Sequence, residues 1–333
     1  MRIFLGVLLL LIAGQVRAEA CIFATQDLTA IPDTGGVPLE VDMHLYLSDL
    51  NEIHDSKQSF VSDVFIRAQW QDSRLVHSGT EPCYADQNDI WTPQLQMLNR
   101  RSVERVRPPQ FLVAPDGGVL QTVRVYGDFS FRADLSDFPF DEQQLRFIIV
   151  SGYETKDVKI LADKASLSVA ERLSVTNWRV QLREGVSSEH YVAPLDRNLS
   201  RFDVVFDAQR LSGFYTWQLL VPLILVVMMT WTVFWIPLEF VPPRVGLVAT
   251  SMLTLIAYRF AMASILPPIA YLTRLDQFMV ASSVLVFGAL AGTVAVTWLD
   301  GRGNSSKALA LNTACRALAP GLFLLVFVKV FVF

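Results

Sequence analysis

One stretch of the sequence combines membrane-spanning length with a regular stripe of small and hydroxylated side chains. Between residues 242 and 265, alternating steps of three and four residues place on one helical face Gly246, Thr250, Leu253, Ala257, Phe260 and Ser264. The hydroxyl groups of this stripe can exchange hydrogen bonds with water, whereas its apolar members exclude water. Either the small residues pack against another membrane helix, or the stripe lines a pore with an apolar gate at Leu253, Ala257 and Phe260.

Elsewhere the sequence contains no pattern typical of catalysis or of a bound cofactor. It has no GxSxG nucleophile turn, no phosphate-binding Walker loop and no HExxH zinc motif. The four histidines show no metal-ligand spacing among themselves or with the three cysteines. A net charge of −4 gives no indication of nucleic-acid binding. We therefore expect a protein that is not an enzyme and that needs no cofactor or metal.

The composition indicates a membrane protein with an exported amino-terminal part. Of the 333 residues, 52% are hydrophobic and only 18% are charged, which is too apolar for an ordinary soluble protein. Residues 1–20 predict a secretory signal peptide, with the basic Arg2, an apolar run and a cleavage site near Ala18 or Ala20. The residues that follow would lie outside the cytoplasm, where Cys21 and Cys83 could form a disulfide.

Residues 21–210 predict a β-sandwich of immunoglobulin-like type that serves as a binding module. Valine and aromatic residues alternate with polar ones in runs at 41–47, 61–70, 120–131, 145–150, 178–182 and 202–208. Asp116-Gly117-Gly118 is typical of a hairpin turn. The charged segment 100–109, which ends in two prolines, predicts a solvated loop.

Residues 211–333 predict four membrane-spanning helices. Apolar segments of about 20 residues, the length that a bilayer requires, occupy 214–235, 245–265, 278–299 and 308–330. An exported amino terminus would place Arg244, Arg302 and Lys307 in cytoplasmic loops and Arg274 in an outer loop, which agrees with the positive-inside rule. We expect a multi-pass protein of the inner membrane with its amino-terminal domain in the periplasm or extracellular space.

Several motifs in a fixed order resemble the pentameric ligand-gated ion channels of the Cys-loop receptor superfamily, in their bacterial form. Residues 134–141 (DLSDFPFD) with Gln143 resemble the signature loop of that family, with Phe131 and Leu145 in place of its two cysteines. The other motifs are the strand 65–75, Trp91-Thr92-Pro93, Arg210 with Gly213-Phe214-Tyr215, and Ile265-Leu266-Pro267 with Tyr271 and Asp276-Gln277. The resemblance covers residue 38 to the carboxyl terminus.

The resemblance implies a homopentamer in the bilayer, with five second helices around a pore for small monovalent ions. Leu253 would form the main hydrophobic gate, reinforced by Ala257 and Phe260, and Thr250 a ring of hydroxyl groups below it. Gly246 would line the narrow cytoplasmic part. A constriction without polar groups strips an ion of its hydration shell and offers no replacement.

The charge of the permeant ion depends on the inner mouth of the pore. Residues 234–247 are similar, without gaps, to the same segment of the anion-conducting glycine receptors, and Pro242 and Pro243 stand where cation-conducting members usually carry glutamate. A ring of Arg244 would favour anions, whereas Glu239 could reach the same mouth and favour cations. The sequence slightly favours anions.

By the same resemblance, the agonist would bind between two subunits, high in the sandwich. Four residues match the complementary face of the glycine receptor site: Phe65, Arg67, Thr122 and Arg124. The guanidinium groups of Arg67 and Arg124 suit a ligand carboxylate. A solvated face or an intersubunit salt bridge explains the two arginines equally well.

The opposite, principal face of this site departs from the family pattern. Ser151 and Tyr153 occupy the loop that usually supplies an aromatic residue, and Tyr191 beside His190, on a loop at 184–199, remains as an aromatic lid. An aromatic cage for an amine is therefore incomplete. A small carboxylate or protons fit better as the stimulus than an amine agonist.

The junction of the two domains would couple agonist binding to the pore. Arg210 is expected to pair with Asp141 or a neighbouring acid, because a buried charge needs a partner. Phe138, Pro139 and the turn from Glu52 to Asp55 would press on the link between the second and third helices. The residues of this link are Leu266, Pro267, Pro268 and Tyr271, and ordinary packing is the alternative role for all of them.

A membrane-anchored periplasmic ligand sensor that does not conduct is the alternative function. It would share the binding module and the membrane helices. The polar stripe and the short loop between the third and fourth helices argue against it, because that loop leaves no room for a signalling domain.

Overall fold

Two domains of different secondary structure follow each other along the chain, a β-sandwich and a bundle of four helices. The computed structural model describes residues 20–23, 27–106, 108–263 and 268–332. The signal peptide predicted for residues 1–20 lies outside these ranges except for Ala20, and so do Ser264, Leu266 and Pro267.

The sandwich is built from two sheets. The strands are β1 Leu39–His54, β2 Ser59–Gln71, β3 Cys83–Ala85, β4 Gln96–Met97, β5 Arg100–Arg105, β6 Gln110–Val113, β7 Gly118–Ser130, β8 Glu142–Glu154, β9 Val158–Leu161, β10 Leu167–Val169, β11 Trp178–Val192 and β12 Arg197–Arg210. One sheet has the order β10-β1-β2-β7-β6-β3, with β5 on β7 and β9 on β1, and the other has the order β11-β12-β8-β4. The fold class predicted from the alternating runs is confirmed.

Aromatic side chains from both sheets form the core between them. Phe60 on β2 and Phe129 on β7 stack with ring centroids 5.6 Å apart. Phe147 on β8 lies 5.0 Å from Phe129 and 5.9 Å from Phe206 on β12. All four rings are fully buried, because period-two alternation turns these positions of every strand toward the other sheet.

Two segments predicted as loops are strands. Residues 100–105 form β5, which pairs with β7 and keeps most of its side chains exposed. Residues 184–199 belong to the β11–β12 hairpin, which stays paired up to Val192 and Arg197. The described side chains of both segments are exposed or half-buried. Because neither face is fully buried, their sequences lack the alternation of apolar and polar residues by which strands are recognised.

Two other local features follow the sequence closely. The turn before β7 contains Gly117 with φ of +85°, the left-handed conformation that glycine adopts without steric cost. A Cβ atom there would lie 2.5 Å from the backbone oxygen of Asp72. Cys21 and Cys83 form a disulfide, which fastens the amino-terminal segment to β3.

Four helices follow the sandwich, each long and apolar enough to cross a membrane. They are α1 Gly213–Trp235, α2 Val241–Ala263, α3 Arg274–Gly301 and α4 Ser305–Phe331. Pro222 lacks the amide hydrogen that a regular helix would direct at an earlier carbonyl, and α1 contains a π-helical turn at Thr216–Leu220 just before it. The hydroxyl of Tyr258 on α2 donates to the carbonyl of Leu219 in that turn.

Candidate functional site

The predicted stripe on α2 lies within the broad part of that helix that the subunit itself does not cover. Gly246, Thr250, Leu253, Ala257 and Phe260 are all exposed, with Leu253 at 68% and Phe260 at 75%. The Thr250 hydroxyl donates to the Gly246 carbonyl at 2.9 Å, which leaves its lone pairs directed outward. Within the described residues, the stripe therefore does not serve packing against the other helices of its own chain.

The opposite face of α2 packs into the bundle. Val248, Ser251, Leu255 and Met262 are at most 4% exposed. Their spacing of three, four and seven residues follows the helical period, half a turn away from the stripe. Leu253 and Leu255, two residues apart, thus lie on opposite sides of one helix.

Arg244 does not lie where the sequence led us to expect it. Its side chain is fully buried in the bundle, and its Nη2 atom donates to Oδ1 of Asn312 on α4 at 2.7 Å. The physical reason is helical phase: Arg244 precedes Gly246 by two residues, which turns it about 200° away from the stripe. Pro242, one turn before Gly246, shares the side of the stripe, and Pro242, Pro243 and Glu239 are all exposed.

A second group of predicted residues meets at the junction of the two domains. Arg210 is 4% exposed and lies between two carboxylates, those of Asp141 on the signature loop (residues 134–143) and Asp55 in the β1–β2 turn. Its Nε and Nη2 atoms donate to Asp141 at 2.7 and 3.0 Å. Its Nη1 and Nη2 atoms donate to Asp55, both at 2.9 Å. The arginine therefore joins the last strand, the signature loop and the β1–β2 turn.

Three aromatic rings complete the surroundings of Arg210. Its guanidinium carbon lies 4.1 Å from the ring centroid of Trp178, 5.0 Å from that of Phe138 and 5.5 Å from that of Tyr215. Burial alone would lower the pKa of Arg210, but the hydrogen bonds to Asp141 and Asp55 outweigh it and raise this pKa. The charge is thus permanent and fully compensated.

The signature loop also contacts the beginning of α3. The backbone N–H of Leu135 donates to the Tyr271 hydroxyl at 2.9 Å. Nε of Arg274 donates to Asp137 at 2.7 Å, and its backbone N–H donates to the Ser136 carbonyl at 2.9 Å. α3 starts here because Thr273 and Asp276 form a reciprocal capping box.

Sequence reasoning named only part of this junction. The structure brings together Asp55, Phe138, Asp141, Arg210 and Tyr271, with Pro139 buried beside them. Glu52 lies instead 3.2 Å from His54, and Pro268 is exposed. The sequence analysis gave no role at this junction to Asp137, Gln143, Trp178, Tyr215 or Arg274. Gln143 was a detectable candidate, since it follows Asp141 by two residues in the same motif and donates to it at 2.6 Å.

The four residues of the proposed complementary face are neighbours on β2 and β7. Phe65 stands directly opposite Arg124, and Arg67 directly opposite Thr122. Arg124 lies over the Phe65 ring at 5.0 Å and holds Asp63 through Nη2 at 2.6 Å and Nε at 3.1 Å. This hydrogen bond with Asp63 raises the pKa of Arg124, and the carboxylate of Asp63 compensates the positive charge of the arginine.

Arg67 differs from Arg124 in its exposure and in its partners. Arg67 is exposed whereas Arg124 is half-buried, and among the residues that the structure describes Arg67 forms no ion pair with a carboxylate. Arg67 is therefore the better of the two to bind a ligand carboxylate.

The residues of the proposed principal face lie on the other sheet. The Ser151 hydroxyl is buried and donates to the Pro93 carbonyl at 2.8 Å, so it supports the local backbone. The Tyr153 ring packs 5.3 Å from Trp91. Tyr191, 58% exposed near the tip of the β11–β12 hairpin, donates to Asp196 at 2.9 Å, and His190 beside it is half-buried. None of the contacts described for this chain joins this face to the complementary face.

Comparison with protein families assigns both domains. The family model described as the neurotransmitter-gated ion-channel ligand binding domain matches residues 22–210, more than half of the chain. The model described as the neurotransmitter-gated ion-channel transmembrane region matches residues 219–319. The first match spans the sandwich, and the second begins within α1 and ends within α4.

Proposed function

The chain belongs to the Cys-loop superfamily of pentameric ligand-gated ion channels, and from this premise we propose that five copies enclose a pore lined by α2. It is thus a multi-pass membrane protein of a channel family rather than of an enzyme family. We further propose that residues 21–210 form the agonist-binding domain outside the inner membrane and residues 211–333 the pore domain.

One observation carries the assignment of α2. Its small and hydroxylated stripe is exposed in the subunit, whereas the face half a turn away is buried in the bundle. Assembly around an axis would give these exposed side chains a common water-filled space. Leu253, Ala257 and Phe260 would then form apolar rings that lose liquid water when the pore narrows.

The pair Leu253 and Leu255 tests this arrangement. In planar bilayers, Leu253→Ala should raise the resting leak current, because it widens the apolar ring and leaves the bundle intact. Leu255→Ala removes the same atoms from the bundle face. It should therefore lower the free energy of unfolding by about 2–5 kcal/mol and leave the resting leak unchanged. Equal leaks from the two variants, or a leak only from Leu255→Ala, would remove α2 as the pore-lining helix.

The inner mouth decides the charge of the permeant ion. The expectation of anion selectivity rested on the similarity of residues 234–247 to the glycine receptors, on the prolines at 242 and 243, and on a ring of Arg244. Burial of Arg244 removes the only positive charge among these supports. Glu239 is exposed on the turn that precedes α2. We therefore propose that a ring of Glu239 carboxylates favours monovalent cations. In a salt gradient, the reversal potential should lie near the equilibrium potential of the cation, and it should shift toward zero in Glu239→Gln. A reversal potential near the equilibrium potential of the anion would reject the proposal.

Arg67 supports a small carboxylate as the agonist. Its guanidinium is exposed beside Thr122 and the aromatic Phe65, whereas Arg124 is held by Asp63. In a screen of carboxylates, amines and pH, Arg67→Gln should raise the half-maximal concentration of a carboxylate agonist by tenfold or more. The matched Arg124→Gln should have a smaller effect. Activation by protons or amines alone, unchanged in Arg67→Gln, would exclude this role.

A further inference from the structure

We propose that the end of the bundle near Arg244 is a binding site for a small inorganic anion of about chloride size. This site would lie within one subunit, between α1, α2 and α4. It is separate from the proposed pore, because Arg244 lies on the face of α2 opposite the stripe. The proposal does not depend on which helix lines the pore.

Four residues from three helices converge at this end of the bundle. The carbonyl of Phe234, in the last turn of α1, accepts from Nδ2 of Asn312 at 2.8 Å and from Nε of Arg316 at 2.9 Å. Oδ1 of Asn312 accepts from Nη2 of Arg244 at 2.7 Å. One backbone carbonyl and one amide therefore hold two arginines near each other.

The guanidinium of Arg244 has more donors than these groups satisfy. Its Nε and Nη1 atoms are buried and have no hydrogen-bond partner in the part of the chain that the structure describes. Buried donors without acceptors are costly, and more so when they carry charge. Because Arg244 is already 0% exposed within a single subunit, a neighbouring subunit has no surface of this side chain to contact. The missing acceptor must be small enough to enter the bundle.

The balance of charge at this end favours an anion over water alone. Arg316 adds a second positive charge, and no carboxylate of the described residues lies within ion-pair distance of Arg244 or Arg316. Asp300 is close enough to attract Arg244 but forms neither an ion pair nor a hydrogen bond with it. Arg244 also lies in the first turn of α2, where the helix dipole is positive and disfavours a cation. Water would satisfy the donors, but only an anion also compensates the charge.

Complete burial also limits the size of the ligand. A phospholipid headgroup or an organic anion would need an exposed surface of Arg244, which the subunit does not offer. A spherical halide is smaller and accepts hydrogen bonds from any direction, but the side chains packed around Nε and Nη1 must move to admit it, because these atoms have almost no accessible surface. Halides are therefore the probes of choice.

A thermal stability series on the purified full-length protein tests the site. At equal ionic strength, the Tm should be higher in chloride or bromide than in gluconate, since a ligand that binds only the folded state stabilises it. The difference should vanish in Arg244→Gln. It should persist in the matched Arg302→Gln, which removes an exposed arginine that stacks on Trp298 at 4.0 Å. An equal Tm in all three anions, or a halide effect that survives in Arg244→Gln, would overturn the proposal.

Anomalous scattering from crystals grown in bromide provides a second test, which does not depend on the folding of any variant. We expect a bromide peak within hydrogen-bond distance of Nε or Nη1 of Arg244 in the wild-type protein. A well-ordered Arg244 without such a peak, or peaks only at exposed arginines and lysines, would refute the site.

Discussion

Two buried arginines, one at each end of the helix bundle, differ in how their charge is compensated. Arg210 precedes α1 and has two carboxylates and three aromatic rings around its guanidinium. Arg244 begins α2 at the other end and has one hydrogen bond, to the neutral amide of Asn312. Both side chains are almost completely buried.

The difference separates a structural charge from one that needs a ligand. A buried ion pair with all its donors satisfied fixes the elements that it joins, and here it joins the last strand, the signature loop and the β1–β2 turn at the end of the sandwich that faces the helices. A buried charge with unsatisfied donors is stable only if something else supplies the acceptor. The first arginine should therefore be sensitive to substitution, and the second to the composition of the solution.

The largest effect is expected at Arg210. Arg210→Ala leaves Asp55 and Asp141 buried without their counter-charge, which costs about 3–5 kcal/mol of folding stability. We expect loss of gating or of assembly, measured as agonist-evoked current and as the oligomer peak in gel filtration.

A matched arginine on the adjacent strand of the same sheet serves as the control for Arg210→Ala. Arg183, 47% exposed, pairs with Asp207 at 3.1 Å, so Arg183→Ala should cost only about 0.2–1 kcal/mol. Normal currents from Arg210→Ala channels at the cell surface would show that the junction does not depend on this charge.

A smaller effect is expected at Tyr271, which tests whether the junction depends on more than its arginine. Tyr271→Phe removes the acceptor of the N–H of Leu135, a residue that is fully buried, at a cost of about 1–3 kcal/mol. If the contact transmits gating, the agonist concentration for half-maximal current should shift.

Tyr84→Phe is a suitable control for Tyr271→Phe. Tyr84 is exposed to a similar degree, 45% against 41%, and lies on β3, away from the junction. An equal shift in both variants would mean that the Tyr271 contact has no specific role in gating.

The sequence predicted the β-sandwich, the four helices and the exposed position of the α2 stripe, because these depend on local periodicity. Leu253 and Thr250 were assigned to one face by their spacing alone, and that face is the exposed one. The partners of Arg210 were predicted only in part, since Asp55 lies 155 residues away and no local pattern connects the two.

Arg244 shows where sequence reasoning failed. Its position next to the pore stripe in the sequence suggested a place at the inner mouth, although a two-residue offset turns a helical side chain to the opposite face. The pairing of Arg124 with Asp63 was missed for a different reason. The two residues lie on neighbouring strands, and only the strand register brings them together.

A change at Asn312 should make the second arginine resemble the first. Asn312→Asp would give Arg244 a carboxylate partner, which gains a charge-assisted hydrogen bond but loses the donation of Asn312 to the Phe234 carbonyl. We expect a net stabilisation of about 1 kcal/mol in gluconate and no remaining difference between gluconate and chloride. A halide dependence that persists in Asn312→Asp would mean that Arg244 is not the group that binds the anion.

The smallest effect is expected at the pair Arg274 and Asp137, which joins α3 to the signature loop near the surface. Their side chains are 31% and 56% exposed, so the pair should contribute only about 0.2–1 kcal/mol. The backbone hydrogen bonds from Arg274 to Ser136 and from Leu275 to Phe138 remain when both charges are removed.

Salt distinguishes this exposed pair from the buried one. A double-mutant cycle with Arg274→Gln and Asp137→Asn should give a coupling energy that falls as salt is raised, because the screening length shrinks from about 10 Å at 0.1 M to about 3 Å at 1 M. A parallel cycle with Arg210→Gln and Asp141→Asn should respond little, since solvent ions do not reach that pair. A large, salt-independent coupling between Arg274 and Asp137 would mean that assembly buries this pair as well. The contrast between buried and exposed charges would then have to be drawn in the oligomer rather than in the subunit.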